Sequence, residues 1–152
     1  MNLTDELLRL VKAFNAANLE YAVCGGLAMA VHGFVRATED IDFLVAQEQL
    51  PQTLDAAKSV GFWIPSGRMP FRAKTPMEME IYRVSKASGS ELISLDLIIA
   101  SKGLKEIWDT RETFEFADVR CKVVSRAGLI KMKLIAGRKQ DLVDIERLQN
   151  GD

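Results

Sequence analysis

Asp40 and Asp42 are two carboxylates one residue apart at the head of an apolar run, residues 40–45, reading DIDFLV. Side chains on a strand alternate between faces, so both carboxylates point the same way. Their Cα atoms then lie roughly 6.6 Å apart, two rises of about 3.3 Å. From that spacing they can hold one Mg²⁺ or Mn²⁺, or share two ions at about 3.5–4 Å. Upstream, Gly25 and Gly26 follow a short apolar run and precede a small-residue segment. Paired glycines ahead of a helix let backbone N–H groups come close to a phosphate. A phosphate cradle beside a divalent-metal site is a layout for phosphoryl or nucleotidyl transfer.

Further residues extend this constellation. Asp96 interrupts the apolar run ISLDLII at 93–99. A charge there is costly unless it is paired, hydrogen-bonded or metal-bound. If its strand lies beside 40–45 in register, three carboxylates converge as catalytic and metal-binding groups. The alternative is a solvated edge-strand residue. Arg36 has the fork geometry to clamp a phosphate. Thr38 either joins the nucleotide site or caps the turn before the strand. His32, isolated beside Gly33, reads as a packing or hydrogen-bonding histidine.

These groups need elements to hold them. The pattern predicts a helix capped by Thr4 and running to about residue 18, with Leu7, Leu8, Val11 and Phe14 on its apolar face. A strand at 21–24, a compact helix at 27–32 and a strand at 40–45 follow. A helix at 49–60 has Pro51 in its first turn and ends at Gly61. Residues 61–76 read as a substrate-side loop with a short strand at 62–64. Strands are expected at 79–84 and 92–99, joined by a turn at 85–90 that pivots on Gly89. A hairpin pairs 113–116 with 119–124 around Ala117 and Asp118. Ser125 caps one or two helices over 127–148, with Gly137 able to divide them.

The 152 residues suit one domain, 1–152, able to bury a substantial core. The net charge of −1 exerts no global pull on nucleic acid, although Lys58, Arg68, Arg72 and Lys74 could form a local patch. No apolar run is long enough to span a membrane, and residues 1–6 lack the features of a secretory signal. Cys24 and Cys121 sit in apolar runs and read as buried free thiols, which suits a cytoplasmic protein.

Gly25-Gly26, Arg36, Thr38, Asp40 and Asp42 together resemble the signature of the nucleotidyltransferase superfamily, which includes polymerase beta and kanamycin nucleotidyltransferase. The pattern is most similar to the AbiEii/AbiGii-like and minimal nucleotidyltransferase proteins. The segment KLIAGRKQD at 133–141 is similar to a helix of that group. The resemblance implies an α/β (α+β) nucleotidyltransferase fold: a small mixed sheet, flanking helices and C-terminal helices over the site. It implies a Mg²⁺-dependent enzyme that moves a nucleoside monophosphate from an NTP to a hydroxyl or phosphate. The acceptor would be a protein, a tRNA end or a small molecule. It places a general base or second-metal ligand at Asp96 and a phosphate contact at Lys133, leaving Asp141 and Asp144 mainly structural. It also implies a toxin–antitoxin or phage-defence setting. The chain departs from many members at Gly26, where they carry serine. That departure supports the alternative, a non-catalytic protein of the same fold that binds a cognate toxin or antitoxin.

Overall fold

The computed structural model describes residues 2–34, 38–71 and 79–150. Their architecture is a seven-stranded mixed sheet in the order β3-β4-β5-β2-β1-β7-β6, flanked by six helices.

Helix α1 (Leu3–Ala16) buries Leu7, Leu10, Val11 and Phe14. Its cap is Asn2 rather than Thr4: the Asn2 side chain accepts the Asp5 N–H at 3.1 Å. Strand β1 (Tyr21–Cys24) leads into α2 (Gly25–Val31), so both glycines belong to the first turn of the helix. Strand β2 (Asp40–Val45) follows, then α3 (Leu50–Ser59), with Pro51 in its first turn. Tyr21, Phe14 and Phe43 form an aromatic cluster with centroids 5.0–5.7 Å apart, fixing α1 to the centre of the sheet.

The expected loop at 61–76 is replaced by an edge strand, β3 (Ile64–Phe71), antiparallel to β4 (Met79–Ser88). Its prolines obscured it: Pro65 and Pro70 cannot donate to a ladder, but an edge strand needs donors on one side only. The register shifts between Pro65 and Gly67. The rest of the expected loop, and with it Arg72 and Lys74 of the basic patch, lies outside the described residues. Strand β4 also runs on to Ser88, through most of the expected turn. Gly89, at φ +61°, allows a tight reversal into β5 (Glu91–Ile99).

A short helix, α4 (Lys105–Asp109), has no counterpart in the sequence reading. The hairpin of β6 (Glu112–Phe116) and β7 (Val119–Val123) turns on Ala117 and Asp118, both at positive φ. Ser125 caps α5 (Arg126–Ala136), accepting the Gly128 N–H at 3.0 Å. Gly137, at φ +66°, ends α5 in a left-handed cap, and α6 (Lys139–Asn150) folds back against it. His32 is the packing histidine expected: its Nε2 lies 2.9 Å from the Val124 carbonyl oxygen, and its ring meets Phe114 edge to face. Cys24 and Cys121 are buried free thiols.

Candidate active site

Strands β4, β5, β2 and β1 lie side by side. One cross-strand row of register partners runs Arg83, Asp96, Asp42, Cys24. Strands β2 and β5 are parallel, with Asp42 opposite Asp96 and Asp40 opposite Ser94. All three aspartates therefore sit on adjacent central strands, which sets aside the reading of Asp96 as an edge-strand residue.

Asp96 is only 8% exposed and has a partner that the sequence reading did not name. Arg83 donates to both of its oxygens, Nε to Oδ1 at 2.7 Å and an Nη to Oδ2 at 2.9 Å. This fork-to-fork pairing explains how an apolar central strand tolerates the charge. Hairpin arithmetic could have found it. With the hairpin closed at Ser88 and Glu91, five residues in each direction lead to Arg83 and Asp96.

The two glycines divide their work. Gly25 has φ +67°, and a Cβ there would fall 2.2 Å from Asp42 Oδ2. Gly26 does not have a positive φ; what it lacks is room for a side chain. A Cβ there would lie 2.8 Å from both Cβ and Oγ1 of Thr38. Thr38 thus seats the chain entering β2 against the start of α2, and its hydroxyl lies 3.4 Å from the Asp40 carbonyl oxygen. Arg36 lies outside the described residues.

Lys133, 5% exposed, projects from α5 between two acids of α6. Its Nζ donates to Asp144 Oδ2 at 2.9 Å and lies 3.5 Å from Asp141 Oδ1. Gly137 separates α5 from α6, and the three charges meet across the junction of the two helices. Arg138, which the sequence reading passed over, binds Asp141 through Nε at 2.7 Å and through its backbone N–H at 3.1 Å. Asp141 and Asp144 thus hold these two cations in ion pairs.

These elements enclose a cleft with two lobes. The polar lobe, about 360 Å³, is lined by Gly25, Gly26, Thr38, Glu39, Asp40 and Asp42, with Lys133 and Arg138. The second, about 260 Å³, is walled largely by Met79, Ile81, Ile98, Leu129 and Met132, and holds Arg83 and Asp96. Gly25, Asp42, Lys133 and Arg138 border both.

Asp42 lies at the junction and carries the most perturbed carboxyl of the cleft. Burial, then the charges of Asp96 and Asp40, push its pKa up to about 7. Burial and Asp96 also raise Asp40. Among the described residues, no hydrogen bond or ion pair reaches the carboxylate of either. Two crowded carboxylates with no direct partner among the described residues offer hard oxygen donors that fit a divalent cation such as Mg²⁺. Asp96, with both oxygens on Arg83, does not complete a ligand set: among the described residues no three acidic, imidazole or thiol groups stand ready to hold a metal ion.

No family model matches the sequence, and no curated protein matches it. Solved structures do match. The lincosamide antibiotic adenylyltransferase LnuA, solved with lincomycin, superposes with a TM-score of 0.61 at 13% identity, covering 95% of each chain. ANT(2")-Ia, in complex with adenylyl-2"-tobramycin, gives 0.58 at 15% identity over 95% of this chain and 87% of the other. An antigenic nucleotidyltransferase-like protein from Paracoccidioides brasiliensis gives 0.55 at 19% identity, over 94% and 74%. At these identities the likeness is one of fold. The architecture is the nucleotidyltransferase fold, with the aspartate-bearing strands at its centre.

Proposed function

We propose that this chain is a Mg²⁺-dependent nucleotidyltransferase that moves a nucleoside monophosphate from an NTP to a hydroxyl or phosphate acceptor. The observation that carries the reading is the Asp40–Asp42 pair. No hydrogen bond or ion pair from the described residues reaches its carboxylates, burial and the charge of Asp96 raise both, and the pair borders the same polar lobe as the Gly25–Gly26 backbone. The shared fold of two adenylyltransferases supports it.

Asp40 and Asp42 would hold the metal, which supplies charge neutralisation at the phosphates. Gly25 and Gly26 let the backbone approach the triphosphate in the polar lobe. Lys133 and Arg138 border it on the other side, their charges largely balanced by Asp141 and Asp144. The acceptor enters through the second lobe, beside Asp96. A carboxylate has about four lone-pair sites, so Asp96 can take an acceptor hydroxyl proton while Arg83 holds it. The acceptor oxygen bonds to the α-phosphorus, the bond to the β-phosphate bridge breaks, and pyrophosphate leaves. Incubation with NTPs labelled at the α- and γ-positions and cell extract tests this. The expected result is an α-labelled acceptor plus pyrophosphate; release of orthophosphate from the γ-position would indicate hydrolysis instead.

The capping of Asp96 by Arg83 favours a second reading, a non-catalytic partner of a cognate toxin or antitoxin built on the same fold. The motif likeness to AbiEii/AbiGii-like proteins is what suggests that setting. Calorimetric titration with Mg²⁺ and each NTP separates the two, because a pure interaction module takes up no nucleotide.

A further inference from the structure

We infer that this site takes a single divalent ion, because the guanidinium of Arg83 occupies the electrostatic place of a second. The inference rests on the metal-dependent reading of the same site. Asp40, Asp42 and Asp96 stand on two adjacent strands, Asp42 and Asp96 as register partners. Three carboxylates this close repel one another, and cations must balance them. Two divalent ions would overshoot; one divalent ion plus one arginine balances all three charges. The neighbouring charges cancel separately, with Lys133 and Arg138 facing Asp141 and Asp144. Glu39, also on the polar lobe, is exposed to water.

Geometry divides the carboxylates in the same way. Both Asp96 oxygens are bound by Arg83 at 2.7 and 2.9 Å, in the fork arrangement that fills a carboxylate edge. Asp40 and Asp42 receive no such donor from the described residues. Arg83 is anchored by its strand: β4 is hydrogen-bonded along its length to β5, and Arg83 is the register partner of Asp96. The guanidinium is therefore built into the sheet, not borrowed from a mobile surface. Arg83 acts through Asp96, fixing its carboxylate beside the metal-binding pair, and is a positioning residue.

Electron paramagnetic resonance titration with Mn²⁺, without nucleotide, tests this in the full chain. The wild type should bind one Mn²⁺ per chain. Arg83→Gln frees Asp96 and should bind a second, while Arg83→Lys, which keeps a positive charge, should stay at one. The double variant Arg83→Gln/Asp96→Asn leaves only the Asp40–Asp42 pair to bind metal and should also return to one. Two ions in the wild type, or one in a folded Arg83→Gln, overturns the inference while leaving the metal-dependent reading intact. No ion in any of the proteins overturns both. If Arg83→Gln does not fold, the wild-type count alone decides: one supports the inference and two overturns it.

Discussion

Gly25 and Asp42 touch: a Cβ on Gly25 would fall 2.2 Å from Asp42 Oδ2, and 3.0 Å from its Cγ. The backbone at the start of α2 and the most perturbed carboxylate of the cleft thus share one packing contact. Gly25→Ala has two costs. An L-residue at φ +67° costs about 1 kcal/mol, and the new methyl must push Asp42 aside. A total loss of about 1–3 kcal/mol is expected in urea unfolding, with Mg²⁺-dependent nucleotide binding lost in the protein that still folds. Wild-type affinity in Gly25→Ala would break the link between this turn and the metal-binding pair.

Gly26→Ala has a different origin. Its helical backbone carries no strain, so the cost is the encounter with Thr38 at 2.8 Å. Nucleotide affinity should fall about tenfold as Thr38 and the entry to β2 shift, with a smaller effect on the thermal midpoint. Thr38→Gly in the same chain removes both contacting atoms and should restore most of the affinity. If it restores none, the missing Cβ matters for the phosphate itself rather than for Thr38.

The central strands and the carboxylates were legible in the sequence because local patterns specify them. DIDFLV and ISLDLII are apolar runs too short for helices, the first broken by two acids on one face and the second by one. The edge strand β3 was not legible, since Pro65, Gly67 and Pro70 are loop signals and only pairing with β4 makes them a strand. The roles of Arg83 and Arg138 were hidden for another reason: neither arginine stands out in the sequence, and Arg83 meets Asp96 only once the β4–β5 register is counted back from the turn. Gly137 was seen as a break, but the packing that brings Lys133 to Asp144 across the break is tertiary.

Lys133 should be required for stability as well as for any nucleotide contact. Lys133→Met removes the cation that fully buried Asp144 meets at 2.9 Å; Gln140 still donates to Asp144 at 2.9 Å, and Asp141 keeps Arg138. Removing one member of such a buried pair costs about 3–5 kcal/mol. The double variant Lys133→Met/Asp144→Leu should recover much of that loss, because no charge is left stranded. A double-mutant cycle in urea measures the coupling, and additive losses would mean that the 2.9 Å contact contributes little.

The pH dependence of the protein without metal follows from Asp42. Its pKa is raised from the ordinary 3.8 to about 7 by burial and by the charges of Asp96 and Asp40. The folded state therefore holds this proton more tightly than the unfolded state. Between about pH 4 and 7 folding takes up a proton at Asp42, so its contribution to stability falls as pH rises. At about 1.4 kcal/mol per pH unit, the span caps that loss at roughly 4 kcal/mol. Asp42→Asn cannot ionise, so its thermal midpoint should fall less over pH 4–8 and exceed the wild-type value at pH 8. Mg²⁺ should raise the wild-type midpoint more at pH 8 than at pH 5, where a proton competes for the same oxygens, and should do little to Asp42→Asn. Thermal midpoints of both proteins across that range, with and without Mg²⁺, provide the measurement. Parallel curves would mean that Asp42 is ionised throughout and would remove the crowded, unpartnered carboxylate on which the metal assignment stands.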